Sequence, residues 1–319
     1  MASGSCAYLG IDAGGTKTAW LVLDDDGVVA EGRVDAMQVA SQGVAAVADA
    51  LAQLVHLART QTGRRLAAVV AGLAGAGRAS VREDLRRALV GIGVGEPLHV
   101  TGDVQVAAAA ALGREPGVAL WSGTGSFAVA RGVDDGLHRV GGRGWLLGDA
   151  GSAHDLARRA AAAVVAAADG LAPPTQLTAA LLEETGLASA FDLGPYLQTA
   201  GPRVVAALYP AVRRTAEAGD EVARALQAAG AEALAQLAMG AGRRAGLPTS
   251  TLRVEVGGGL LTHDEGVRRL LSEALQRAGV GAVLEVCSRS PARGAAELAR
   301  AHVRALPPLS RWMADHGTS

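Results

Sequence analysis

Three short segments of this 319-residue chain place glycines and hydroxyls where an anion could be held. The first is Gly10-Ile11-Asp12-Ala13-Gly14-Gly15-Thr16-Lys17-Thr18, the second Ser122-Gly123-Thr124-Gly125-Ser126, and the third Val256-Gly257-Gly258-Gly259-Leu260. Glycine-rich turns after strands suit phosphate, because backbone N–H groups can approach an anion with no side chain in the way. Two common phosphate schemes fail on spacing. A P-loop needs G-x-x-x-x-G-K-[ST], and Thr16 separates Gly15 from Lys17; a dinucleotide loop opens a helix, whereas Gly14-Gly15-Thr16 leads into the β-prone run Ala19 to Leu23. Three acids stand at element boundaries: Asp12 ends the first apolar run, Asp103 starts a helical pattern, and Asp149 follows Gly148 in a glycine-rich stretch. Each has a plain local reading as a turn former, a helix N-cap or a charge favouring a helix dipole.

The elements around these residues follow from hydrophobic periodicity and turn chemistry. Ala7 to Asp12, Thr18 to Leu23 and Val28 to Val34 read as strands separated by Ala13 to Thr16 and Asp24 to Gly27. A helix follows, with Ser41 as its cap and Val44, Val47, Leu51, Leu54 and Val55 on one face. Then come a strand at Leu66 to Leu73, a helix near Ser80 to Ile92, a strand at Pro97 to Val100 and a helix from Asp103 to Leu112. The opening pattern recurs about 110 residues later, with Val118 to Trp121, the Gly-Thr-Gly turn and Phe127 to Ala130, so two similar halves are expected. Residues 151 to about 246 read as mostly helical, with Asp220 capping a long helix; a strand at Arg253 to Val256, a helix from Asp264, a strand at Val283 to Cys287 and a helix from Pro291 complete the chain.

Composition narrows the partners. The chain is 50% hydrophobic and 19% charged, with a formal net charge of -1, which gives no basic field for a phosphate backbone, so no nucleic-acid partner is expected. Lys17 is the single lysine among 30 basic residues, and asparagine is absent, a pattern a GC-rich genome produces. The longest apolar stretch without glycine, Ala160 to Ala168, is about half of the roughly 20 residues that span a bilayer. With no basic region followed by an apolar one at the N-terminus, the expectation is a soluble, cytoplasmic protein with no membrane partner. Cys6 and Cys287 are too few for a disulfide framework and are expected as small apolar core residues. Trp20, Trp121 and Trp145 are expected as core or pocket wall. His154 and Asp155 are adjacent, so on a helix they diverge by about 100° and make a poor dyad.

Taken in order, the three glycine segments resemble those of the sugar kinase, heat-shock chaperone and actin superfamily. Within it the chain is most similar to the N-acetylglucosamine kinase branch of the BadF/BadG/BcrA/BcrD ATPase family. That likeness rests on Gly141-Gly142-Arg143-Gly144-Trp145-Leu146-Leu147-Gly148-Asp149-Ala150-Gly151-Ser152-Ala153 and on Thr101-Gly102-Asp103-Val104. The resemblance implies an α/β fold of two similar actin-like ATPase (ribonuclease H-like) domains with an ATP cleft between them. The expected lobes are 1–116 and 117–319, with a helical insertion at about 151–246 and a last helix near 292–305 returning to the first lobe. It also implies ATP-dependent phosphorylation of an amino sugar at the 6-hydroxyl, with Asp103 as general base and Asp12 holding Mg²⁺. Gly14, Gly15, Thr16, Lys17, Gly123, Thr124, Gly125, Gly257, Gly258 and Gly259 would then contact ATP. Asp103, Thr124, Gly125, Gly142, Arg143, Gly144 and Asp149 would contact the sugar, and the likeness allows a homodimer.

One departure stands out. The branch carries a sugar-contacting asparagine after the third strand, where this chain reads Val34-Asp35-Ala36-Met37-Gln38-Val39-Ala40-Ser41. Gln38 or Ser41 is the candidate replacement, which leaves N-acetylglucosamine and glucosamine both open. Two other functions fit the superfamily: an ATPase that activates a 2-hydroxyacyl-CoA dehydratase or benzoyl-CoA reductase, and a sugar sensor without catalysis. The first needs cysteines at an iron–sulfur cluster, and neither Cys6 nor Cys287 lies in a plausible cluster segment. The second lacks the expected N-terminal DNA-binding helices, since strand pattern begins almost at once.

Overall fold

The computed structural model describes residues 6–14, 17–95, 97–133 and 136–304. The chain divides into two compact units, one comprising Met1–Glu115, Asp135–Leu137 and Ser288–Ser319, the other Pro116–Asp134 and His138–Cys287.

The first unit begins with β1 (Ala7–Ala13), β2 (Thr18–Leu23) and β3 (Val28–Val34), followed by α1 (Val39–Gln42), α2 (Val44–Thr62), β4 (Leu66–Leu73), α3 (Ala79–Ile92), β5 (Leu98–Gly102) and α4 (Asp103–Leu112). Its sheet has the order β3-β2-β1-β4-β5, with β1, β2 and β3 antiparallel neighbours and β1, β4 and β5 parallel. Alternation along β1 sends Leu9 and Ile11 into a core with Leu51, Leu54 and Val55 of α2. Ser41 does not cap α2. It lies inside α1, its hydroxyl turned back to Gln38, and Gly43, at a φ of 82° that suits a residue without Cβ, makes the join.

The second unit holds β6 (Gly117–Ser122), β7 (Ser126–Arg131) and β8 (Leu137–Gly141), then α5 (Ala153–Ala168), α6 (Leu177–Thr185), α7 (Leu193–Thr199), α8 (Pro202–Ala206), α9 (Tyr209–Glu217) and α10 (Glu221–Arg244). It closes with β9 (Leu252–Gly257), α11 (Gly259–His263), α12 (Glu265–Arg277) and β10 (Ala282–Val286). The sheet order β10-β9-β6-β7-β8 repeats that of the first unit, each built on a first strand flanked by a hairpin and a parallel strand. The expected duplication is therefore present. Asp220 caps α10, accepting from Ala223 N at 2.8 Å, and also accepts from Gln176 N at 2.8 Å, which ties the start of α6 to that of α10.

The last helix, α13 (Pro291–Val303), belongs to the first unit, where Ala292 and Ala296 pack with Leu21 and Leu23. A Cβ on Gly10 would lie 2.0 Å from Ala292 O, so that glycine is what lets α13 press on β1.

Neither cysteine is a core residue: Cys6 is exposed and Cys287 partly buried. Cys6 precedes the first ladder position, and Cys287 follows β10, an edge strand with exposed Val283 and Val286, so neither position offers an apolar interior. The tryptophans divide as well. Trp20 is buried in the first unit's core, whereas Trp145 is 48% exposed. Among the described residues no helix is long and apolar enough to cross a membrane.

Candidate functional site

In the first unit, strand register brings two acids to one end of the sheet. Asp12 on β1 lies opposite Gly72 on β4, and Gly72 opposite Thr101 on β5, two residues before Asp103. These three strands are parallel, so the acids gather at their carboxyl ends, where open α/β sheets bind ligands. Asp103 is the first residue of α4, not its cap, and its Oδ1 accepts from Val104 N at 3.0 Å. Burial, then the charge of Asp103, pushes the Asp12 carboxyl up to about 7, with Lys17 pulling the other way. The Asp12 side chain is thus a partly buried oxygen donor whose ionised form Lys17 offsets only in part, which fits a hard cation such as Mg²⁺. The turn joining β1 to β2 is closed by Gly14 N donating to Lys17 O at 3.1 Å, and Lys17 is exposed. Gly15 and Thr16 lie outside the described residues. Gln38 and Ser41 bond to each other through Ser41 Oγ and Gln38 Oε1 at 3.2 Å.

In the second unit, three segments far apart in sequence meet at the β6–β7 hairpin. Gly123 N donates to Gly125 O at 2.9 Å to close the turn, leaving Thr124 exposed at its tip. The segment 149–153 braces it from one side: Ser122 Oγ donates to Gly151 O at 3.0 Å, Ser126 Oγ to Ala150 O at 2.8 Å, and Ala153 N to Gly123 O at 2.8 Å. From another side comes the third glycine segment. A Cβ on Gly258, whose φ is 85°, would lie 2.5 Å from Ser122 O, and one on Gly123 3.3 Å from Gly259 N, while Gly257 lies against the Trp121 ring.

Asp149 is held against this hairpin. It is the one described non-glycine residue with positive φ, 58°, a conformation that costs energy and marks a constrained site. Its carboxylate lies so close to Gly125 that a Cβ there would be 2.8 Å from Oδ2. Burial raises its pKa, opposed by the Ser126 N–H it accepts and by the charges of Arg139 and His154. Gly142 packs on Phe127 and Arg139, which donates from Nε to Gly141 O at 3.2 Å. Arg143 and Gly144 are exposed in the loop that Gly148 N closes by donating to Gly144 O at 2.8 Å. The pattern had not singled out His154 as a site residue. It is buried at the start of α5 with its ring 5.6 Å from that of Trp145, and Asp155 is engaged separately, accepting from Gly151 N at 3.1 Å.

The sequence pattern of the BadF/BadG/BcrA/BcrD ATPase family matches residues 9–299. The chain belongs to this family of ATPases. Two curated relatives are similar. An N-acetylmuramic acid/N-acetylglucosamine kinase of Clostridium acetobutylicum is 29% identical over 225 residues, 68% of this chain and 72% of that protein. An N-acetyl-D-glucosamine kinase of Dictyostelium discoideum is 28% identical over 246 residues, 72% of this chain and 77% of that protein. Among solved structures, a candidate N-acetylglucosamine kinase from Chromobacterium violaceum superposes with a TM-score of 0.74 at 27% identity, covering 91% of this chain and 98% of its own.

Proposed function

We propose that the chain transfers the γ-phosphoryl group of ATP to the 6-hydroxyl of an amino sugar, N-acetylglucosamine or glucosamine. The observation that carries this reading is the Asp149 carboxylate seated against Gly125 of a hairpin that also meets Gly258. A kinase needs a phosphate-holding loop and a hydroxyl-holding group side by side, and a carboxylate with about four acceptor positions can hold two neighbouring sugar hydroxyls. The kinase names of the similar proteins support the same reading.

In this reading the first unit supplies Asp103, which accepts the proton of the attacking hydroxyl as the new O–P bond forms and ADP departs. It also supplies Asp12, the residue that would hold Mg²⁺, with Gly14, Gly15, Thr16 and Lys17 near phosphate. Bound Mg²⁺ supplies neutralisation of phosphate charge. The second unit supplies Gly123, Thr124, Gly125 and Gly257 to Gly259 for ATP, with Thr124, Gly125, Gly142, Arg143, Gly144 and Asp149 for the sugar. The expected location is the cytoplasm, and the family likeness allows a homodimer.

The test is ADP release measured with glucosamine, N-acetylglucosamine, N-acetylmannosamine, N-acetylmuramic acid and glucose. One amino sugar should raise the rate well above background, and silence with all five sinks the proposal. Asp103→Asn should lower kcat by about 10² to 10⁴ with ADP affinity retained; a rate near wild type removes Asp103 from the role of base.

A further inference from the structure

The second unit contains a buried polar cluster outside all three glycine segments. Tyr209 opens α9, Gln227 lies within α10, and Asp264 joins α11 to α12; all three are buried. Tyr209 Oη donates to Asp264 Oδ2 at 2.7 Å, and Gln227 Nε2 donates to Tyr209 Oη at 3.1 Å and to Asp264 Oδ2 at 3.4 Å. The other oxygen, Oδ1, accepts from Val267 N at 2.9 Å. Burial, with Asp264 alongside, pushes the Tyr209 phenol far above its ordinary value, so it remains a donor.

The cluster adjoins the far end of α11, the five-residue helix that begins at Gly259, because Asp264 is that helix's C-cap and its backbone N–H donates to Leu260 O. The last carbonyls of a helix lack partners within it, and here each is supplied from outside. Arg268 Nη1 donates to Leu261 O at 2.8 Å and to Thr262 O at 2.9 Å, and Arg213 Nη1 donates to His263 O at 3.3 Å. At its near end, Gly258 rests on the backbone of Ser122. So short a helix does not hold its own place. Apolar side chains would pack α9, α10 and α12 together without desolvating a carboxylate; the trio instead ties α9 and α10 of the insertion to the α11–α12 junction by directional hydrogen bonds.

We propose that Tyr209, Gln227 and Asp264 are positioning residues that hold Gly257 to Gly259 in nucleotide-binding geometry, so that the helical insertion sets the affinity for ATP. This rests on the reading of the third glycine segment as a nucleotide contact. Tyr209→Phe removes one hydroxyl and keeps the ring. ADP binding by calorimetric titration should weaken about tenfold, the scale of one hydrogen bond to a charged group. KM for ATP should rise in step, while kcat and sugar KM stay within about twofold. A merely structural cluster gives a lower melting temperature with unchanged ADP affinity, which overturns the proposal. Gly258→Val separates the two layers of the argument. If it weakens ADP binding while Tyr209→Phe does not, the positioning role fails alone; if both bind ADP as wild type does, the nucleotide reading of the segment fails and takes this role with it. Should Tyr209→Phe not fold, Gln227→Leu is read the same way.

Discussion

A single methyl group tests whether Asp149 holds the sugar. In Gly125→Ala the new carbon would lie 2.8 Å from Asp149 Oδ2, 3.1 Å from Cγ and 3.4 Å from Oδ1. An ordinary contact of about 3.4 Å requires the nearer oxygen to retreat by about 0.6 Å, since close-packed surroundings give little. The carboxylate cannot swing freely, because its backbone is fixed at φ 58° and it accepts the Ser126 N–H. Gly125 itself has no positive φ, so alanine adds no backbone strain and the disturbance stays local. Misplacing a substrate-holding group by about 1 Å can cost about 10² in rate, so a shift of about 0.6 Å should lower kcat/KM for the sugar about tenfold. Overpacking should cost about 1–3 kcal/mol of stability, too little to unfold the chain at assay temperature. Steady-state ADP release read against sugar and ATP separately is the assay, with Asp149→Asn as comparator. Because Gly125 also faces ATP in the proposed site, ATP KM should rise too, but by less than the sugar KM. A wild-type kcat/KM for the sugar in Gly125→Ala refutes the reasoning, and an ATP KM that rises as far as the sugar KM makes phosphate contact the main role of Gly125.

Two further perturbations probe the first unit. Gly10→Ala would set a methyl 2.0 Å from Ala292 O and 2.2 Å from Ala296 N. Backbone cannot yield by that much, so stability should fall by about 3 kcal/mol or more, roughly 5 °C in a thermal melt; an unchanged midpoint would mean that α13 does not press on β1. The second concerns His99, whose ring is 4.2 Å from that of His302 and whose Nε2 is buried without a hydrogen-bond partner. Burial, then His302, lowers the His99 pKa below 6.5. The folded state therefore binds fewer protons than the unfolded one just below pH 6.5, and stability should fall as pH drops through that region. His99→Phe should flatten this acid limb in urea titrations between about pH 7.5 and 5.5, and an unchanged slope would remove His99 as its cause.

Legibility in the sequence followed the range of the physics. Hairpins were readable to within a residue or two because Asp-Gly and Gly-Thr turns are local chemistry, and the repeated strand order follows once the hairpin is seen twice. Ser41 misled because serine before an apolar run signals a cap only if the preceding backbone is extended, and α1 had already turned it. The cysteines misled because residue type was allowed to stand for position, while strand edges decide exposure.

The glycines and the polar trio differ in what they leave in a sequence. A close backbone approach can be met by glycine alone, so each demand made on the β6–β7 hairpin by Gly258 and Asp149 appears as a glycine in a short window. A buried hydrogen-bonded trio leaves no such mark: Tyr209 and Asp264 are separated by 55 positions, and each has ordinary neighbours. α11 itself is five residues long, too short for helical periodicity, and was missed for the same reason. The glycine segments were thus readable in the sequence, while the polar trio beyond one of them was readable only in three dimensions. Without asparagine, the expected contact falls to Gln38 or Ser41, and these two side chains bond first to each other. On the proposed function, a sugar group that takes the Ser41 hydroxyl proton must displace that bond, whereas one that accepts from the Gln38 amide N–H groups leaves it in place.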